Sequence, residues 1–192
     1  ILLSAVMTVP ALAALKTGEQ APDFTAQASL AGKAFTFSLA DALKKGPVVV
    51  YFYPSAFTGG CNIEAHTFAE NKEKFDAAGA SIIGVSQDSI ERLNAFSADP
   101  QYCAGKIAVA SDANGAIATS YNLTKSAARA GMKDTRGVAI DHGFTERTTF
   151  VLTPDGKVAA VFSSADDKIS PADHVAKSLA AVQQLAASKT AE

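Results

Sequence analysis

The clearest signal in the hydrophobic pattern is Val48 to Tyr53, six β-branched or aromatic residues in a row with no polar interruption. A half-exposed strand alternates, whereas a strand covered on both faces reads as a continuous apolar run. Pro54 ends the run, and a short loop carrying Gly59 and Gly60 leads to Cys61. From Cys61 to Ala78, residues Ala65, Phe68, Ala69 and Phe75 recur at helical spacing, while Glu70, Lys72, Glu73 and Lys74 are mostly solvated. Gly79 closes this helix. Ser81 to Val85 is a second buried strand, and strand–helix–strand order predicts a parallel crossover.

Weaker elements surround this unit. Phe24 to Phe37 reads as two strands turning at Ala31-Gly32-Lys33. Ser38 to Lys45 is a short helix capped by Ser38 and stopped by Gly46-Pro47. Ser89 to Ala98 is a further helix, Ile107 to Ala110 a short strand and Ala113 to Tyr121 a short helix. Thr148 to Leu152 and Lys157 to Phe162 form a hairpin, with Thr153-Pro154-Asp155-Gly156 as a type I turn. Pro171 to Ala187 is a closing amphipathic helix. Asn122 to Glu146 is the least regular stretch; Lys125, Arg129, Lys133 and Arg136 sit close to one face of a helical turn there, and a solvated basic face is expected. Together these elements predict an α/β domain whose mixed central sheet is flanked by helices, its last two strands antiparallel.

Composition adds limits. With 192 residues and 48% hydrophobic side chains, one domain can bury a sufficient core unaided. Seventeen basic and nineteen acidic residues leave a net charge of −2, which gives no support to nucleic-acid or membrane binding. Ile1 to Leu15 carries no charge and contains the small-x-small pattern Ala11-Leu12-Ala13. Residues 1–13 therefore read as part of a secretory signal, with the domain spanning 14–192 and the mature chain starting near Ala14. The expected location is a bacterial periplasm, or the cytoplasm if the segment is not a signal.

Only two cysteines occur, Cys61 and Cys103, too few for a disulfide framework. Cys61 stands where a buried strand, a glycine loop and a helix meet. Helix N-termini and cationic neighbours favour a thiolate, the nucleophilic form of the side chain. Gly59 and Gly60 let the backbone come close, and the Thr58 hydroxyl could turn toward the same point.

Pro54-Ser55-Ala56-Phe57-Thr58-Gly59-Gly60-Cys61 matches the Pro-x-x-x-Thr-x-x-Cys signature of peroxiredoxins. Arg147-Thr148-Thr149-Phe150-Val151-Leu152 resembles the family's arginine-bearing segment, and Gly18-Glu19-Gln20-Ala21-Pro22-Asp23-Phe24 resembles the start of its domains. The chain is thus similar to the peroxiredoxin family, most of all its bacterioferritin-comigratory, PrxQ-like branch. The resemblance implies a thioredoxin-like fold and a thiol peroxidase acting on hydrogen peroxide and organic hydroperoxides. It implies that Cys61 attacks the terminal peroxide oxygen and becomes a sulfenic acid. Thr58 would hydrogen-bond the sulfur and the peroxide, Arg147 would hold the thiolate and polarise the O–O bond, and Pro54 would shield the sulfur. Backbone N–H groups of Gly60 and Cys61 would stabilise the leaving oxygen. A thiol protein or small thiol would supply electrons; no cofactor, metal, nucleic acid or membrane partner is implied, and a homodimer is left open.

Many relatives of this branch carry a resolving cysteine five residues after the first, where this chain has His66. Cys103 is the candidate resolver; the alternative is a one-cysteine enzyme. A thiol–disulfide oxidoreductase of this fold would need Cys-x-x-Cys, but the partner position is Glu64. A metal site from Cys61 and His66 with Cys103 or His142, or a non-catalytic thiol, remain the bland alternatives, and the spacing fits no common zinc pattern.

Overall fold

The computed structural model describes residues 13–191, so the expected leader lies outside the described residues except for Ala13. In chain order the elements are β1 (Thr25–Leu30), β2 (Lys33–Ser38), α1 (Leu39–Leu43), β3 (Val48–Phe52), α2 (Gly59–Ala77), β4 (Ser81–Ser86), α3 (Ile90–Ala98) and β5 (Ala108–Ser111). They continue with α4 (Ala116–Ser120), β6 (Lys125–Ser126), β7 (Phe144–Thr145), β8 (Thr148–Leu152), β9 (Val158–Ser163), α5 (Ser164–Asp167) and α6 (Pro171–Lys189). Seven strands form one sheet in the order β2-β1-β5-β4-β3-β8-β9. β3 pairs in parallel with β4, and β4 with β5; β8, β9, β1 and β2 are added antiparallel. The sheet is mixed, as the pattern requires.

β3 lies at the centre of the domain because both its faces are apolar. Val49, Tyr51 and Tyr53 join the core beneath α2, α3 and α6. Val48, Val50 and Phe52 join the opposite core with Phe24, Leu39, Tyr121 and Phe150. Tyr51 needs room over β4: opposite it stands Gly84, where an added Cβ would come within 2.5 Å of the Tyr51 ring. The β1–β2 hairpin turns through Ala31 and Gly32, both at positive φ (51° and 78°), which suits a two-residue turn matched to the strand twist. Ser38 caps α1 by accepting from the Asp41 amide, and Ser170 caps α6 in a capping box with Asp173.

Two expectations are corrected. Helix α2 starts at Gly59 rather than Cys61, with Thr58 in extended geometry as its N-cap. The stretch from Asn122 to Glu146 contains no helical turn: Lys125 and Ser126 pair with Thr145 and Phe144, and Lys133 bridges to Ala139. Lys125, Arg129, Lys133 and Arg136 are exposed, as expected of a basic face. They do not share a helix, because this segment takes its backbone bonds from distant partners, including Thr135 N–H to the Phe57 carbonyl at 2.9 Å. Among the described residues no helix is long and apolar enough to cross a membrane.

Candidate active site

The end of β3 and the start of α2 set the geometry of Cys61. The ladder runs one residue past β3, through Tyr53 N–H to Val85 C=O, before Pro54 stops it. The chain then loops through Ser55–Phe57 into α2. The amide of Asn62 donates to the Thr58 carbonyl at 2.8 Å. The N–H groups of Gly59, Gly60 and Cys61 therefore stand ahead of the helical ladder. Cys61 is the third residue of the helix, in the turn where the macrodipole most favours negative charge. It is only 2% exposed.

Arg147 comes from the residue just before β8, the strand antiparallel to β3 on the side away from β4. Its Nη2 donates to Cys61 Sγ at 3.3 Å, and its Nη1 donates to Glu64 Oε2. One guanidinium thus grips both the sulfur and a buried carboxylate one turn along α2. Gly60 eases this approach: an added Cβ would stand 3.0 Å from Arg147 Nη2 and 3.3 Å from Pro171 Cγ, and the guanidinium would have to give way by a few tenths of an ångström. Gly59 faces open space, so only one of the two glycines serves close packing.

Burial opposes the Arg147 charge, but Glu64 and Cys61 outweigh it and hold its pKa above the ordinary value. Glu64 is fully buried, and loss of water raises its pKa to about 7 although Arg147 pulls it down. Its Oε1 has no hydrogen-bond partner. Glu64 was noticed in the sequence only as the place where a second cysteine is missing. Its i,i+3 spacing from Cys61 puts both on one helix face, the one signal that could have marked it.

Thr58 departs from the expected role. Its hydroxyl donates to the Ser55 carbonyl at 2.7 Å rather than to the sulfur, and caps no helical amide. Its oxygen lone pairs are left to accept from a ligand. Pro54 is half-buried at the same turn.

The other thiol is elsewhere in character. Cys103 is fully buried, in the run of turns between α3 and β5, and packs in the same apolar core as Tyr51, Tyr53 and Phe96. Burial, with the Asp99 carboxylate adding, pushes its thiol well above the ordinary range. Both cysteines are free. Its turn is tied down: Cys103 C=O accepts from the Lys106 and Ile107 amides, and Gln101 C=O accepts from His66 Nδ1 at 3.0 Å. His66 Nε2 meets Glu70, and His142 is engaged by Asp88, so neither ring is free for a site with the cysteines. Among the described residues no group of three or more His, Cys, Asp or Glu could hold a metal ion.

Sequence reasoning also missed Asp88, Arg92 and Asp134, which lie under the loop before Cys61. Only the i,i+4 spacing of Asp88 and Arg92 at the head of α3 hinted at a pair. His174 was missed as well. It is buried between Thr149 Oγ1 and Ser164 Oγ, both at 2.9 Å, and burial together with nearby Arg147 lowers its pKa to about 4.

Comparison with known proteins finds relatives in both sequence and fold. Peroxiredoxin Bcp of Xanthomonas campestris is 32% identical over 136 residues, 71% of this chain and 76% of the relative. A putative peroxiredoxin of Mycobacterium tuberculosis is 31% identical over 170 residues, 88% of this chain and 99% of the relative. Among solved structures, peroxidoxin BcpB of Mycobacterium tuberculosis superposes with a TM-score of 0.71 at 30% identity, covering 88% of this chain and 97% of that one. Peroxiredoxin Q of Xanthomonas campestris gives 0.65 at 28% identity, covering 85% and 91%. Both support the thioredoxin-like fold. The family model described as AhpC/TSA matches residues 17–161, and the chain belongs to that family.

Proposed function

We propose that Cys61 is the attacking residue of this thiol peroxidase, with Arg147 as its electrostatic partner and Cys103 as the resolving thiol. As a member of a peroxiredoxin family the enzyme takes a peroxide as substrate and a thiol as reductant. The observation that carries the assignment is the Arg147 guanidinium donating to Cys61 Sγ at the first turn of α2. That donor favours the thiolate before reaction and lies beside the oxygens during it.

In the reaction the Cys61 thiolate attacks the terminal oxygen of R–O–O–H. An S–O bond forms as the O–O bond breaks, and the electron pair leaves with the RO oxygen. That oxygen takes a proton to become an alcohol, or water when the substrate is hydrogen peroxide. Cys61 becomes a sulfenic acid. The Gly60 and Cys61 amides and Arg147 stabilise the growing negative charge, and Thr58 accepts from the peroxide O–H. The Cys103 thiol then attacks the sulfenic sulfur, releasing water and leaving a disulfide that an external dithiol reduces. Because Cys103 is buried among aromatic rings, its turn must open so that the two Cα atoms reach roughly 5.5–6 Å.

Intact mass before and after one equivalent of peroxide tests the scheme. Loss of two hydrogens supports both cysteines, gain of one oxygen supports Cys61 alone, and no change overturns the site. Cys61→Ser is expected to abolish peroxide consumption, and retained activity would remove Cys61 from the chemistry. Export is part of the same proposal, supported by the uncharged apolar run of residues 1–13. N-terminal sequencing of the natural mature protein is expected to start near Ala14, and a mature chain retaining residues 1–13 would overturn it.

A further inference from the structure

Beneath the Ser55–Phe57 loop lies a polar cluster that no step of peroxide reduction uses. At its centre is the fully buried Asp88 carboxylate, just after β4. Its Oδ2 accepts from the Ala56 amide at 2.8 Å and from Ser86 Oγ at 2.6 Å. Its Oδ1 accepts from Arg92 Nε at 2.7 Å, Ser55 Oγ at 3.2 Å and His142 Nε2 at 2.8 Å. Arg92 Nη2 in turn donates to the Ala56 carbonyl at 2.9 Å and meets Asp134 at 2.7 Å. Thr135 donates to the Phe57 carbonyl from both its amide and its hydroxyl, each at 2.9 Å, and Arg136 stacks 3.4 Å above the Phe57 ring. The loop residues 55–57 are therefore held by groups from the β4–α3 junction and from the irregular segment 132–142.

This clamp has something to restrain. Phe57 sits at φ 60°, a left-handed conformation that a bulky side chain resists and that persists only where surroundings over-determine it. Phe57 precedes Thr58, and the first turn of α2 follows directly. Relaxation of Phe57 would shift the turn that holds Cys61 within 3.3 Å of Arg147.

His142 stands apart in this cluster because both of its ring nitrogens are engaged. Its Nε2 faces the Asp88 carboxylate at 2.8 Å and, farther off at 3.2 Å, the Ser55 hydroxyl, while its Nδ1 faces the Gly143 carbonyl at 2.7 Å, so the nearest partner of each nitrogen is an acceptor. A neutral imidazole can donate to only one of them, whereas the imidazolium satisfies both. We propose that His142 is a positioning residue of the peroxidase reaction: as an imidazolium it locks Asp88 against the Ala56 amide, and its deprotonation loosens the loop that sets Cys61 against Arg147. The proposal rests on Cys61 as the attacking residue. The charged groups facing His142 are Asp88 and, from α3, Arg92; Asp134 and Arg136 lie one bond further along the cluster, and Asp141 next in the chain is exposed. Burial and Arg92 work against the His142 charge, but Asp88 and the Gly143 carbonyl outweigh them and hold its pKa above the ordinary histidine value.

The test is the pH profile of sulfenic acid formation at Cys61, measured in single turnovers with hydrogen peroxide. Wild type is compared with His142→Gln, which cannot titrate, and His142→Lys, which keeps the charge through the alkaline limb. Thermal melts are run first to establish that each variant folds. The wild-type rate is expected to fall by about tenfold on the alkaline side of the histidine range. His142→Lys should keep the higher rate across that limb, and His142→Gln should lose the limb and run at the lower rate throughout. The protection factor of the Ala56 amide, its exchange rate corrected for base catalysis, should fall over the same pH range in wild type only. An alkaline fall that persists in His142→Gln, or a wild type with no such fall, overturns the proposal. If either variant fails to fold, the wild-type Ala56 protection factor decides: one that does not follow the titration of His142, read by NMR, overturns it. Wild-type protein that forms no sulfenic acid at any pH overturns the assignment of Cys61 instead.

Discussion

Cys61 and Cys103 are hidden from solvent to nearly the same degree, 2% and 0% exposed, yet their surroundings differ in kind. Cys61 has the open end of a helix and a guanidinium at 3.3 Å. Cys103 has aromatic rings and, at the next distance, the Asp99 carboxylate, and its thiol is pushed firmly toward the neutral form. Burial alone therefore does not set thiol reactivity; what decides is whether the buried shell contains donors and positive charge. The pair also divides the labour of the proposed cycle. Cys61 is preorganised for the first step and Cys103 is stored for the second, reachable only after its turn opens.

The comparison breaks most severely at Arg147. Arg147→Ala is expected to lower the rate of Cys61 oxidation by about 10²- to 10³-fold, the usual cost of a lost charge-stabilising donor. Arg147→Lys should fall between, because it keeps the charge without the planar fork. Stopped-flow rates with hydrogen peroxide check both, and an unchanged rate for the alanine variant would remove the guanidinium from the site. Gly60→Ala comes next. The new Cβ would press on Arg147 Nη2 at 3.0 Å and Pro171 at 3.3 Å, and a guanidinium displaced from Sγ should cost about tenfold in the same assay.

Cys103→Ala sharpens the other half of the contrast. The first oxidation of Cys61 should keep its wild-type rate, while excess peroxide carries the unresolved sulfenic acid on to sulfinic acid, visible as a gain of two oxygens by mass. Wild-type turnover without a disulfide in peptide maps would make Cys103 a bystander. The smallest effect concerns stability and Glu64. Its folded pKa of about 7 lies above the ordinary 4.5, so the native state binds the extra proton. Its contribution is full below the unfolded value and is lost as pH rises through about 7. Glu64→Gln should remove that slope, worth roughly 3 kcal/mol across the window, in denaturant titrations at stepped pH. His174 works the other way. Its pKa is lowered from 6.5 to about 4, so its contribution is present above 6.5 and lost as pH falls toward 4. The two slopes oppose each other where they overlap, and wild type should show a shallower profile than the glutamine variant.

The central elements were legible in the chain because each has a local cause. An uninterrupted apolar run makes β3, helical spacing of Phe68 and Phe75 makes α2, and the Pro-Asp-Gly turn makes the β8–β9 hairpin. The motif ending in Cys61 and the arginine before β8 were found instead through their resemblance to peroxiredoxin segments, since Arg147 by itself reads as an ordinary arginine before a strand. The irregular segment 122–146 was not legible. Its residues answer to Phe57, Arg92 and Asp88, and no period in its own sequence records those partners.

The sequence by itself determined the sheet's core strand, the helix that presents Cys61, and the family. Those follow from apolar periodicity and from residues whose spacing is short enough for local geometry to enforce. Only the tertiary structure decided that Arg147 reaches Cys61 and Glu64 together, that Thr58 spends its proton on Ser55, and that Cys103 is buried among rings. It alone brought Asp88 and His142, 54 positions apart, under the loop that precedes the sulfur. The physical reason is that charge and hydrogen-bond geometry act over a few ångströms in space, and distance along the chain says nothing of that until the strands have paired.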